Sequence, residues 1–245
     1  MQQTSKQDIV QELRTRILAM QGINKPGTGN CSIGLGDIET AFPEGVFPKN
    51  AIHEFTSHEP ESAATTSGFL SCLLHSLTNR KGFCLWVSSR RVIFPPALKL
   101  LGVDPECVIF VDLQNDKDVL WAVEEGLRCS ALVAVVGELK ELTFAQSRRL
   151  QLTIEESQVT GFIHRVLPKS ENTTACAARW KISPLPGIIE SGLPGIGFPK
   201  WRVELAKVRN GKPGSWELAW TPSGFKHFSK TNSDPDTKPD TAQYA

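Results

Sequence analysis

The amino-acid sequence predicts an α/β fold, with a mainly parallel sheet flanked by helices and a C-terminal antiparallel extension. Three observations carry that prediction. First, FCLWVS (83–88), CVIFVDL (107–113), ALVAVVGEL (131–139) and VTGFIHRVL (159–167) are almost continuously apolar, the pattern of strands covered on both faces. Second, helix-length segments separate these runs, and such alternation builds βαβ units. Third, the pattern changes after residue 170. ACAARWKISPLP (175–186), WRVELAKVRN (201–210) and SWELAWT (215–221) read as strands; the turn sequence NGKPG joins the last two, and a Gly/Pro-rich excursion sets the first apart.

In chain order, Ile9, Leu13, Ile17 and Met20 recur at spacings of three to four and predict an amphipathic helix over 6–20, within an N-terminal unit of residues 1–22. A Gly/Pro-rich lead-in follows over 23–50, and the core spans 51–228. AIHEF (51–55) predicts a short strand and SGFLSCLLHSL (67–77) a helix. PPALKLLG (95–102) opens on prolines and stops at glycine, as a helix does. KDVLWAVEEGLRC (117–129) places Val119, Leu120, Val123 and Leu127 on one helical face, and LTFAQSRRLQLTIEESQ (142–158) reads as a long helix. SKTNSDPDTKPDTAQYA is polar and punctuated by proline, so 229–245 is expected to be a disordered tail.

Of the 245 residues, 40% are hydrophobic, enough for a sizeable core. The formal charge of +1 argues neither for a polyanion-binding surface over the whole molecule nor against a local one, and the charge is unevenly placed. Residues 1–159 carry 15 basic and 19 acidic side chains, whereas 160–228 carry 10 and 4. No apolar run reaches the roughly 18 residues of a membrane span. The first twenty residues mix charges throughout, unlike a signal peptide, so a cytoplasmic protein is expected. Six cysteines are scattered without a C-x-x-C pair, which points to buried free thiols. His53, His75 and His164 stand alone, outside any metal-ligand spacing, and no metal or cofactor is expected.

An open parallel sheet offers a binding crevice at the carboxyl ends of its strands. In a phosphate-loop ATPase the first strand leads into G-x-x-x-x-G-K-[ST], whose backbone N–H groups curl around phosphates while the lysine reaches their oxygens. HEPESAATTSG (58–68) stands in that place. Alignment puts Glu59 at the first glycine, Ser62 within the loop, Ala64 at the second glycine, Thr65 at the lysine, Thr66 at the Mg²⁺-touching hydroxyl and Ser67 after it. A carboxylate at the lip repels polyphosphate, Ala64 restricts a positive φ, and nothing replaces the lysine. The hydroxyls of Ser62, Thr65, Thr66 and Ser67 lack a paired His and Asp, which suits helix capping. SSRR follows the second strand where a catalytic acid belongs, and ALVAVVGEL ends on Gly137 and Glu138 where an aspartate should hold the metal. Glu138 stands in for that acid only in a shifted register. ATP hydrolysis is not expected.

HEPESAATTSGF, LKLLGVDPECVIFVDLQNDKDVLWAVEEGLR and LVAVVGELKEL resemble, in order and spacing, the RecA core. GLGDIETAFPEGVFPKNAIHEF, LWVSSRRVIFPPALKLLGVDP, SRRLQLTIEESQVTGFI, TTACAARWKISPLP and GFPKWRVELAKVRNGKPGSWELAW resemble the ImuA family, RecA-like accessory proteins of error-prone repair, in the form seen in Bacteroidetes-like bacteria. The likeness spans roughly residues 5–228. It implies a RecA-like fold of the phosphate-loop type and a role in SOS-type translesion synthesis without catalysis. The partners implied are ImuB, a Y-family polymerase relative, and an error-prone polymerase alpha subunit, with RecA, single-stranded DNA and a second copy as further contacts. A residual nucleotide switch or weak ATPase is the rival reading, and direct single-stranded DNA binding a third.

Arg165, Lys169, Arg179, Lys181, Lys200, Arg202, Lys207, Arg209 and Lys212 form the candidate DNA or partner surface. An ordinary solvated sheet face is the favoured explanation, ahead of nucleic-acid contact and then of docking an acidic partner. Trp180, Trp201, Trp216 and Trp220 suit core packing better than base stacking. Arg90, Arg91, Arg148 and Arg149 are read as solvated or internally paired, with contact to a partner's acids as the alternative.

Overall fold

The computed structural model describes residues 32–78, 82–188 and 197–228. The helix expected over 6–20, the opening of the lead-in and the tail expected over 229–245 lie outside the described residues. Nine strands form one sheet: β1 (Ile52–Ser57), β2 (Phe83–Ser88), β3 (Val108–Asp112), β4 (Leu132–Leu139), β5 (Thr160–Val166), β6 (Ala178–Ile188), β7 (Phe198–Val208), β8 (Gly214–Thr221) and β9 (Gly224–Phe228). Their spatial order is β3-β2-β4-β5-β1-β6-β7-β8-β9. Pairing is parallel from β3 across to β6 and antiparallel from β6 to β9. The mixed sheet matches the expected class with one shift. β6 was grouped with the antiparallel extension, yet it pairs in parallel with β1 and is the seam between the two halves.

The helices are α1 (Pro60–Thr78), α2 (Asp116–Arg128) and α3 (Phe144–Ser157). Residues 95–101, expected to be helical, form a 3₁₀ segment that ends at Gly102 with φ 82, a conformation that glycine adopts without strain. α1 covers one face of the sheet, where Phe69, Leu70, Leu73 and Leu74 join Phe55, Trp86, Phe162, Trp180, Trp201 and Leu218 in one core. α2 and α3 cover the other face, packing Val119, Val123, Leu150 and Ile154 on Ile52, Val135 and Ile163. Asn115 caps α2, and Thr143 with Gln146 makes a capping box at α3.

The lead-in is part of the core. Its described portion forms 3₁₀ turns at Gly36–Ala41 and Pro43–Gly45 and buries Leu35, Ile38, Phe42 and Phe47. Buried Glu39 organises it, accepting hydrogen bonds from the Ile33 and Leu35 backbone N–H groups and the Ser32 hydroxyl. Trp180 sits at the meeting point of lead-in, sheet and α1. It is fully buried, stacks on Phe55 at 5.5 Å between centroids, and touches Phe42, Phe47 and Phe69. Its indole N–H reaches His53 Nδ1 at 3.3 Å.

Trp180→Ala should therefore lower unfolding stability by about 3–5 kcal/mol, measured as a fall in the urea midpoint with the slope unchanged.

Candidate functional site

The strand-to-helix junction after β1 departs from the expected loop. Only His58 and Glu59 separate Ser57 from Pro60, where α1 begins, seven residues before the expected start. Proline suits the first turn of a helix, and the Glu59 carbonyl accepts the Ala63 N–H at 2.9 Å. Ser62, Ala64, Thr65, Thr66 and Ser67 are thus helical residues and form no loop. Thr65 and Ser67 do not cap: their hydroxyls donate to the carbonyls of Glu61 and Ala63 one turn back. Thr66 is fully buried with its hydroxyl 2.9 Å from Ser57 Oγ. Glu59 is exposed.

Side chains fill the space beneath this junction. Ser57 Oγ lies 3.0 Å from His164 Nε2 on β5, completing a buried Thr66–Ser57–His164 chain. Burial holds the His164 imidazole neutral, its pKa lowered from 6.5 to about 3, and its Nδ1 has no partner among the described residues. Glu138, next to His164 in the β4–β5 register, is the penultimate residue of β4 and accepts the Trp86 indole N–H at 2.9 Å. Burial pushes its carboxyl up from 4.5 to about 7, against the lowering effect of that hydrogen bond. Glu138 is occupied by a tryptophan of the neighbouring strand.

The other face of β1 holds a charge cluster that the sequence reading missed. Glu54 is fully buried, with Oε1 2.9 Å from Arg165 Nη1 and Oε2 accepting from Arg179 Nε at 3.0 Å and Thr174 Oγ1 at 2.6 Å. Arg165 also binds Glu141 at 2.9 Å and the Ser170 carbonyl at 2.8 Å. The signal was present in the sequence: AIHEF and VTGFIHRVL each carry a charge within a buried-type strand, and opposite charges so placed must pair.

This corrects the candidate surface. Arg165 has a side-chain exposure of 0% and cannot reach a ligand, and Arg179 is 12% exposed and bound to Glu54. The remaining members are dispersed. Lys181 pairs with Glu171 at 2.7 Å, and Lys200 and Arg202 meet Glu217 at 2.8 and 3.7 Å. Lys207 and Arg209 bind the carbonyls of Thr174 and Ala175, while Lys169 and Lys212 are exposed. Trp180, Trp201 and Trp220 are buried, and Trp216 packs against the same core. Cys72, Cys84 and Cys176 are buried thiols, but Cys129 is exposed. Among the described residues no cluster of three His, Cys, Asp or Glu side chains could hold a metal ion, and no helix is long and apolar enough to cross a membrane.

Fold and junction together define a class: a mixed α/β sheet protein in which a two-residue link joins β1 to α1 above a buried Thr66–Ser57–His164 chain. No family model matches the chain. Two relatives named Protein ImuA, from two strains of Caulobacter vibrioides, are 33% identical to it over 215 residues, covering 81% of this chain and 86% of the relative. The chain belongs to the ImuA family.

Glu138 and the histidines titrate in opposite senses. Between pH 4.5 and about 7 the folded state holds the Glu138 proton more tightly than the unfolded chain, so this residue's contribution to stability falls as pH rises. His53 and His164, lowered from 6.5 to about 4 and about 3, are protonated more readily in the unfolded chain, so their contribution rises with pH up to 6.5. Glu138→Gln keeps an acceptor for Trp86 but cannot ionise. Urea titrations should show it close to wild type near pH 4.5 and more stable by about 1–3 kcal/mol near pH 8. Arg165→Ala, which leaves buried Glu54 with only Arg179 and Thr174 as partners, should cost about 3 kcal/mol in the same assay.

Proposed function

We propose that this protein is a non-catalytic accessory factor of SOS-type, error-prone translesion DNA repair. In this reading it is a cytoplasmic scaffold of RecA-like architecture that binds a Y-family polymerase relative and an error-prone polymerase alpha subunit. The observation that carries the reading is ImuA family membership combined with a crevice that has lost its ATP chemistry. α1 begins at Pro60 without a loop, Thr66 is buried, Thr65 stands where a lysine would be, and Glu138 is held by Trp86. With no phosphate cradle after β1 and the acid at the end of β4 held by Trp86, the fold contributes a rigid surface. Bound nucleotide has no part in the mechanism.

Two measurements test it. Titration calorimetry with ATP and Mg²⁺ should give no binding heat; binding at about micromolar Kd that disappears in Thr66→Ala would overturn the scaffold reading in favour of a nucleotide switch. Co-purification should recover the Y-family polymerase relative and the alpha subunit with this chain, and deleting the chain should abolish damage-induced mutagenesis while leaving undamaged replication intact.

A further inference from the structure

On the outer flank of α3, Phe144, Arg148 and Leu152 are spaced four residues apart and form one stripe. Phe144 is 55% exposed and Leu152 46%, two large apolar side chains facing water on one helix. Arg149, one position on, is engaged by Glu124 of α2 at 2.5 Å. Arg148 has no hydrogen bond or ion pair among the described residues.

The stripe adjoins the end of β7. Ser147 Oγ of α3 accepts the Ala175 N–H at 2.9 Å, the Ala175 carbonyl accepts from Arg209, and Lys207 Nζ donates to the Thr174 carbonyl at 2.9 Å. Arg209 is thereby brought within electrostatic reach of Arg148. Burial lowers the Arg209 pKa and Arg148 lowers it further, with Cys176 and Glu155 acting the other way. Arg148, Lys207 and Arg209 form no ion pair with a carboxylate among the described residues. Elsewhere on the extension Lys181 pairs with Glu171, and Lys200 and Arg202 meet Glu217. Two arginines with no carboxylate at ion-pair distance among the described residues, beside two exposed apolar anchors, are the complement of an acidic amphipathic segment.

We infer that the α3 flank, from Phe144 through Arg148 to Leu152 with Arg209 and Lys207 alongside, is a docking surface for an acidic segment of a partner protein that carries apolar anchors. The apolar residues fill the positions over Phe144 and Leu152, and carboxylates neutralise Arg148 and Arg209. Phosphate would satisfy the arginines but would leave both anchors in water, which favours protein over nucleic acid. The chain's own N-terminal 31 residues have the wrong sign, with Lys6, Arg14, Arg16 and Lys25 against Asp8 and Glu12. Residues 229–245 hold Asp234, Asp236 and Asp240 but only Tyr244 as an anchor. The inference rests on the accessory role proposed above and assigns it a surface.

The test measures binding of the full chain to the Y-family polymerase relative, for wild type, Arg148→Glu/Arg209→Glu, Phe144→Ala/Leu152→Ala and, as a control on the terminal strand β9, Lys226→Glu. Circular dichroism and melting confirm folding. Each double variant should weaken binding by about tenfold or more, with Lys226→Glu unchanged. Wild-type affinity in both doubles overturns the surface and leaves the accessory role standing. If wild type fails to bind the polymerase relative, that partner is wrong, and a short synthetic peptide with Leu and Phe on one helical face and Glu on the other decides the surface. Capture of that peptide by wild type but not by either double supports it, and absence of capture overturns it. Oligodeoxythymidine binding that depends on Arg148 and Arg209 but not on Phe144 and Leu152 overturns it in favour of nucleic acid.

Discussion

A carboxylate in the middle of a parallel sheet is costly to bury, and Glu54 of β1 is tolerated because arginines reach it from the strands on both sides. Arg165 comes from β5 and Arg179 from β6, and Thr174 closes the remaining lone pair. The same arginines hold the segment between β5 and β6 through the carbonyls of Ser170 and Asn172. The pairing therefore does more than neutralise charge. It fixes β6 beside β1, and β6 is where the parallel half of the sheet becomes antiparallel. If β6 were displaced, β7, β8 and β9 would lose their template, and with them the wall on which the lead-in packs.

On the opposite face of β1 an aromatic core supplies the complementary constraint. Phe55, Trp180, Phe42, Phe47 and Phe69 meet edge to face, tilted or stacked, so the lead-in, the sheet and α1 share one set of side chains. β1 is thus gripped by charge on one side and by rings on the other. The ends of the neighbouring strands finish in buried hydrogen bonds, Ser57 to Thr66 and His164, Glu138 to Trp86. These hydrogen bonds tie the carboxyl ends of the central strands together where an ATPase would keep open space and water.

The fold was legible because both-face burial leaves a signature that no other element imitates: FCLWVS and ALVAVVGEL can hardly be anything but covered strands, and their bounds fell within a residue or two. The misses share one physical origin. A sequence pattern reports the polarity of a residue but not its tertiary partner. Glu54 and Arg165 looked like interruptions of apolar strands, and only packing brings them together across β1 and β5. The start of α1 was placed late because residues 58–68 were aligned on a phosphate loop. Pro60 was the better guide, since proline favours a first turn and the hydroxyls of Thr65 and Ser67 bond back along the helix. The Gly/Pro-rich lead-in read as loop because 3₁₀ turns have no long periodicity, although Leu35, Ile38, Phe42 and Phe47 were there to be buried.

The two-residue link from β1 to α1 also bears on timing. Proteins that hydrolyse nucleotide use a flexible phosphate loop to change state on a schedule, tight while the triphosphate is bound and loose once it is gone. Here the link is two residues long, and Ser57 and Thr66 below it are bonded to each other. In the non-catalytic reading proposed above, such a chain carries no clock: the lifetime of any complex it joins is set by spontaneous dissociation, and its influence in the cell by how many copies are made and how long they persist.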